Sequence, residues 1–386
     1  TGRLNGREVA RLLAQSRRYS ADTMLADVHQ LTACASAVAT PVNGLAVSYP
    51  SAVAHSRARE LAADADPVAA VAELLAQAVD ARPMGSAATA VELSGGMDSA
   101  NVALTLAERE VVPAVASAMI MPGDAGRQQA ERRAEFIART GYARDTTIDA
   151  AEHPPLCPSG DRAQGAPVSP YAEPFSEATA ALLARVAAAG VRTVYTGIGG
   201  DEMLAAQPGE RDTEPHPPTP PTWAGPATLE ALSDVDTNTA PATAISEPTL
   251  LAFACRAPLF LAEGLWPVSP LADPALITFA EWLPRPWRAD KYLFRERLRR
   301  AGLSHDFVRP KLREHFTPLM DAGLRCHGVT LLRQMLTDGT VLAEAGYVDP
   351  DALLVECDRI DAGNSDLDRT LYEGIAVELA TRAAMT

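Results

Sequence analysis

The stretch Ser94-Gly95-Gly96-Met97-Asp98-Ser99 constrains this chain more than any other part of it. The apolar run 88–93 before it reads as a short strand, and residues 100–108 after it read as a helix. A strand, a Gly-Gly turn and a helix N-terminus make a cradle for an anion. The turn lets backbone N–H groups converge, and the helix dipole adds partial positive charge. Ser94 and Ser99 offer hydroxyl donors. Asp98 would repel a phosphate unless a cation stood between them, so its place in the cradle implies Mg²⁺.

The spacing excludes the Walker loop, which needs Gly-x-x-x-x-Gly-Lys-Ser/Thr. The pattern resembles instead the pyrophosphate loop of enzymes that split ATP into AMP and pyrophosphate. A second Gly-rich turn, Gly197-Ile198-Gly199-Gly200-Asp201-Glu202, follows the strand-like run 191–196. Strand-like runs at 114–121 and 145–148 alternate with helical ones at 124–140 and 175–189. This alternation predicts an α/β fold, a doubly wound parallel sheet covered on both faces. Ligands of such sheets bind beyond the carboxyl ends of the strands. Both turns are therefore expected on one edge, with Asp98 and Asp201 facing one ATP from two sides and holding Mg²⁺ against its phosphates.

Residues 1–62 read as a small N-terminal lobe, with a helix at 6–16 and a hairpin within 27–49. The remainder, 63–386, reads as one larger domain that opens with an amphipathic helix at 66–81. Its stretch 206–247, rich in Pro, Thr, Asp and Ala, reads as a mobile insertion. Beyond it the chain turns helical, at 249–263 (kinked or ended by Pro258), 274–283, 291–301, 329–336, 350–359 and 366–384. These form a C-terminal helical layer on the sheet.

A net charge of −15 argues against a nucleic-acid backbone as partner, since phosphate contacts need a basic surface. No apolar run reaches membrane length. The five cysteines have neither metal-ligand nor redox spacing, which points to a reduced cytoplasm. Of the 34 basic residues only Lys291 and Lys311 are lysines. In a chain so biased towards arginine, a retained lysine points to a need for its compact ammonium.

Ser-Gly-Gly-x-Asp-Ser followed by Gly-x-Gly-Gly-Asp-Glu resembles the synthetase domain of asparagine synthetase, whose relatives include β-lactam synthetase and the cyclases that close lasso peptides. The segments Ser269–Pro274, Lys291–Arg295 and Arg309–Phe316 extend the resemblance in the expected order. It implies that Ser94, Gly95, Gly96, Ser99, Gly197, Gly199 and Gly200 bind ATP, that Asp98 and Asp201 hold Mg²⁺, and that Lys311 stabilises negative charge in the transition states, with Asp201 and Glu202 in the same machinery. Ile198 departs from the pattern. Asparagine synthetases place Glu there and β-lactam synthetase Tyr, side chains that handle the nucleophile. A general base here must come from elsewhere, with Glu202, Tyr171, Glu173 and His315 as the alternatives.

The activity implied is an ATP-dependent, amide-forming carbon–nitrogen ligase that turns a carboxylate into an acyl-adenylate and passes the acyl group to an amine. Residues 1–62 resemble only the tail of a glutaminase domain, and the first cysteine is Cys34. The nucleophile is thus expected to be an amine already on a peptide or amino-acid-derived substrate, as in macrolactam formation, with a precursor peptide and companion biosynthetic proteins as partners. A glutamine-dependent amidotransferase or its fragment, and a non-catalytic binding scaffold, are the alternatives.

Overall fold

The computed structural model describes residues 3–385 apart from 43, 54–56, 83–87, 110–114, 143, 167, 208–209, 211–218 and 235–238. A hairpin of β1 (Ser36–Thr40) and β2 (Gly44–Ser48) precedes a parallel sheet of β3 (Thr89–Glu92), β4 (Val115–Ile120), β5 (Asp145–Asp149), β6 (Thr193–Tyr195) and β7 (Trp266–Val268). The sheet order is β5-β4-β3-β6-β7. The chain starts at the centre, winds out through β4 to β5, then crosses back over β3 to β6 and β7. The winding direction reverses between β3 and β6, and a crevice opens beyond their carboxyl ends.

Successive strand residues face opposite layers, as the pleat requires. Val91, Ala116 and Tyr195 pack into one core with the helices Pro67–Asp80, Met97–Glu108 and Tyr292–Arg300. Their neighbours Ala90, Val115 and Val194 pack into another with the helices Ser176–Ala188 and Glu247–Ala262. The doubly wound α/β expectation therefore holds, with both faces covered. Asp66 fixes the start of Pro67–Asp80: its carboxylate accepts from the N–H groups of Val68 (3.0 Å) and Ala69 (3.2 Å), and Pro67 fills the first helical position.

Three expectations need correction. The first is the separation of residues 1–62. Val9, Leu12 and Leu13 of the helix Gly6–Leu13 are fully buried in the third core, that of the C-terminal helices, against residues such as Tyr372 and Ile375. Hydrophobic burial draws the helix into the larger body, and a boundary at residue 62 does not divide the core. The second is the insertion 206–247, part of which lies outside the described residues, including the start of its 215–223 proline run. Within it Trp223 is fully buried, donates from Nε1 to Asp368 (2.9 Å), and leads into the helix Pro226–Ala231. The third concerns Pro258, expected to kink or end its helix: it sits inside the continuous helix Glu247–Ala262, so of the two alternatives the ending fails. Strand β7 has no counterpart in the expected elements. Pro267 lies within it, and an edge strand tolerates the missing donor.

Candidate active site

The first loop leaves the central strand β3 and enters the helix Met97–Glu108. Gly95 takes φ +91°, which turns the chain back on itself. Gly96 is the N-cap, and no side chain caps the first turn, so its N–H groups are free for an anion. The loop is held from within. Ser94 and Ser99 share a hydroxyl–hydroxyl hydrogen bond of 3.0 Å, and the Ser94 and Gly96 N–H groups donate to Ser99 Oγ and Ser94 Oγ, each at 3.2 Å. It is also held from outside, by a residue that nothing in the motif announces. Gln129 donates to the carbonyls of Ser94 and Met119 (2.8 Å each) and accepts from the Met121 N–H (2.9 Å), tying the loop to the end of β4.

The second loop leaves β6, next to β3. Thr196 and Ser269 share a 2.7 Å hydroxyl hydrogen bond, and Thr196 Oγ1 accepts from the Ile198 N–H (3.3 Å). Gly199, at φ +99°, turns over the backbone of Leu271 and Ala272, so the Ser269–Pro274 segment forms the floor of this loop. Gly197 and Gly200 bring the loops together. A Cβ on Gly197 would stand 2.7 Å from the Ser99 nitrogen, and one on Gly200 would stand 2.6 Å from the Asp98 carboxyl.

One cation joins the two acidic residues. Lys291 Nζ is 2.5 Å from Asp98 Oδ2 and 2.7 Å from Asp201 Oδ1. Lys291 and its neighbour Asp290 are non-glycine residues at φ 54° and 48°, a costly conformation that the surrounding contacts impose. Burial, partly offset by Lys291, pushes the Asp98 carboxyl up to about 6. Burial opposes the charge on Lys291, and the two carboxylates outweigh it, so its ammonium holds its proton more tightly than an ordinary lysine. The resemblance assigns the catalytic cation to Lys311, yet the lysine at the aspartates is Lys291. Lys311 is exposed, its backbone N–H donates to Gln128 (2.9 Å), and among the described residues its ammonium has no ion-pair partner.

The donor set suits Mg²⁺. Asp98 Oδ1 is buried with no hydrogen-bond partner among the described residues. It and the Asp201 carboxylate are hard oxygen donors on facing loops. No group of three or more His, Cys, Asp and Glu side chains fit for a metal occurs among the described residues.

Two cavities meet at the loops, sharing Gly96, Asp201 and Glu314. One, of about 470 Å³, lies over the ends of β3, β4 and β6 and is lined by Ser94, Asp98, Ser99, Met119 and Gly197 among others. The other, of about 580 Å³, is basic, with Lys291, Arg285, Arg288, Arg295 and Arg313 in its wall. An acidic chain thus keeps a local positive basin beside the cradle, as a polyphosphate requires. The four base alternatives separate. Tyr171 donates to Glu8 (2.9 Å), is pushed up by burial, and lines neither cavity. Glu202 lines a different cavity, with Arg18 and Tyr19. Glu173 and His315 both line the first cavity; His315 is exposed, while Glu173 is half-buried and its carboxyl is raised by burial.

Residues 70–247, a span that contains both loops, match the family model described as asparagine synthase. No curated protein matches the chain.

Proposed function

We propose, from the match of residues 70–247 to the asparagine synthase family model, that this chain adenylates a carboxylate, releases pyrophosphate, and couples the acyl group to an amine carried by a peptide or amino-acid-derived substrate. The reading rests above all on one observation: carboxylates from two loops, far apart in sequence, converge on the ammonium of Lys291 at the point where the sheet's winding reverses.

A carboxylate acylates poorly because its oxide leaves badly. Attack of its oxygen on the α-phosphorus of ATP breaks the bond to the β-phosphate and gives a mixed anhydride with a good leaving group. The uncapped N–H groups of the Gly96 helix start and the Ser94 and Ser99 hydroxyls stabilise the departing pyrophosphate, and the arginines of the basic cavity receive it. Asp98 and Asp201 would hold Mg²⁺, which would neutralise phosphate charge when bound. Lys291 neutralises the same two carboxylates in the nucleotide-free protein. Ile198 cannot take a proton, so the group that receives the proton of the attacking amine must stand elsewhere in the cavity.

The test is pyrophosphate release from ATP and Mg²⁺ across a panel of amino acids and peptides with free carboxyl and amino groups. The reading expects release with at least one substrate and a loss of about a hundredfold or more in Asp98→Asn. ATP binding without pyrophosphate release from any carboxylate would instead establish a scaffold.

A further inference from the structure

The nucleotide cavity shares two side chains, Ile198 and Arg256, with a neighbouring chamber of about 390 Å³. The walls of that chamber are largely apolar, with Phe253, Ala257, Phe260 and Trp266 facing it. A polar chamber and an apolar one thus meet along a single boundary. At this boundary Arg256 donates to both oxygens of Glu92 (2.7 and 3.3 Å), while its Nε stands 3.9 Å from Glu173 Oε2. Those last two atoms are buried and have no hydrogen-bond partner among the described residues. Arg17 also faces Glu173 and pairs with Glu373 at 3.6 Å. Three carboxyls, Glu92, Glu173 and Glu373, therefore face two guanidiniums, those of Arg256 and Arg17, and Glu173 Oε2 is left without a donor among the described residues. A buried carboxyl oxygen with its hydrogen bond unmade is costly until a donor, such as an ammonium, meets it.

We propose that this boundary is the amine subsite, seating a primary ammonium compound with its nitrogen against Glu173 and an apolar side chain in the chamber of Phe253 and Trp266. The inference rests on the ligase reading for its chemistry. One N–H proton passes from the ammonium to Glu173 Oε2, and the freed lone pair forms the C–N bond at the acyl carbon. The C–O bond to AMP breaks, its electron pair leaves on the AMP phosphate, and the second N–H proton departs with that phosphate. Glu173 is then the proton acceptor that Ile198 cannot be, and Arg256 positions it.

Isothermal titration of the nucleotide-free chain tests the subsite with L-phenylalaninamide, which has an ammonium and an apolar ring but no carboxylate. Its comparators are 3-phenylpropionamide, which lacks the amine, and 3-phenylpropionate, which reverses the charge. Wild type should bind phenylalaninamide about tenfold or more tightly than either comparator. Glu173→Gln should abolish that preference. Ala257→Phe, which fills the chamber, should weaken phenylalaninamide by about tenfold or more. If Glu173→Gln does not fold, the wild-type preference and Ala257→Phe decide. Equal or tighter binding of a comparator to wild type, an undiminished preference in Glu173→Gln, unweakened binding in Ala257→Phe, or no binding at millimolar concentration overturns the proposal. The ligase reading fails by a different measurement, the absence of pyrophosphate release, which these titrations do not involve.

Discussion

Gly197 of the second loop packs directly on the backbone of Ser99 in the first, so closely that a methyl group on it would stand 2.7 Å from the Ser99 nitrogen. The two turns are docked backbone to backbone, and the atoms that would have to give way belong to a helix start. Their alignment is therefore set by the absence of a side chain.

Gly197→Ala is expected to push the loops apart and to lower pyrophosphate release by about a hundredfold or more, since displacements near 1 Å have effects of that order on positioned groups. Steady-state kinetics beside a thermal melt checks this. Unchanged kinetics with an unchanged melt would mean that the loops need not touch.

Lys291→Met leaves Asp98 and Asp201 facing each other without a cation. The nucleotide-free protein should lose about 1–2 kcal/mol, less than for a fully buried pair because the Lys291 side chain is 26% exposed. Added Mg²⁺ should then raise the melting temperature more in the variant than in wild type. Equal Mg²⁺ shifts in the two proteins would sink the idea that ammonium and metal compete for the same carboxylates.

Gln129→Ala removes three hydrogen bonds between the first loop and the end of β4. It takes the acceptor from the Met121 N–H and a donor from the Ser94 and Met119 carbonyls, a loss of about 1–3 kcal/mol. With the cradle loosened, the KM for ATP should rise about tenfold. Denaturant titration and ATP-dependence of pyrophosphate release read the two effects separately.

Burial raises the Glu173 carboxyl above its ordinary value. Between the unfolded and the folded value the native state holds a proton that the unfolded chain has lost. Stability from this group is therefore fully present below the unfolded value and declines as pH rises through the folded one. Glu173→Gln should remove that decline, so its denaturation midpoint should gain on wild type as pH rises above the ordinary carboxylate range. Parallel curves for the two proteins would contradict a raised carboxyl.

The fold was legible because its signals are local. β3 and the Met97–Glu108 helix flank a Gly-Gly turn, and the sheet strands β4 and β6 are apolar runs bounded by breaks. The convergence of Asp98 and Asp201 was legible too, since both turns follow parallel strands. Lys291 as their bridge was not, because the motif points to acidic residues and gives no sign of which cation reaches them across 193 residues of chain. Gln129 left no signal, being a polar residue in a helix with a charged face. Arg256 lies in a run that reads as an apolar helix, and only the packing of that helix on the sheet brings it to Glu92. Glu173 was visible as one of four alternatives; the cavity it lines separates it from Tyr171 and Glu202, and its burial separates it from His315. The burial of Gly6–Leu13 in a distant core was hidden, because amphipathicity tells that a face is covered and not by what.

That N-terminal helix has a consequence for how the protein is made. Its apolar face leaves the ribosome more than 350 residues before Tyr372 and Ile375, against which it packs. Until they emerge, Val9, Leu12 and Leu13 lack part of their native cover, so this core cannot close before the helix Leu371–Met385 is made.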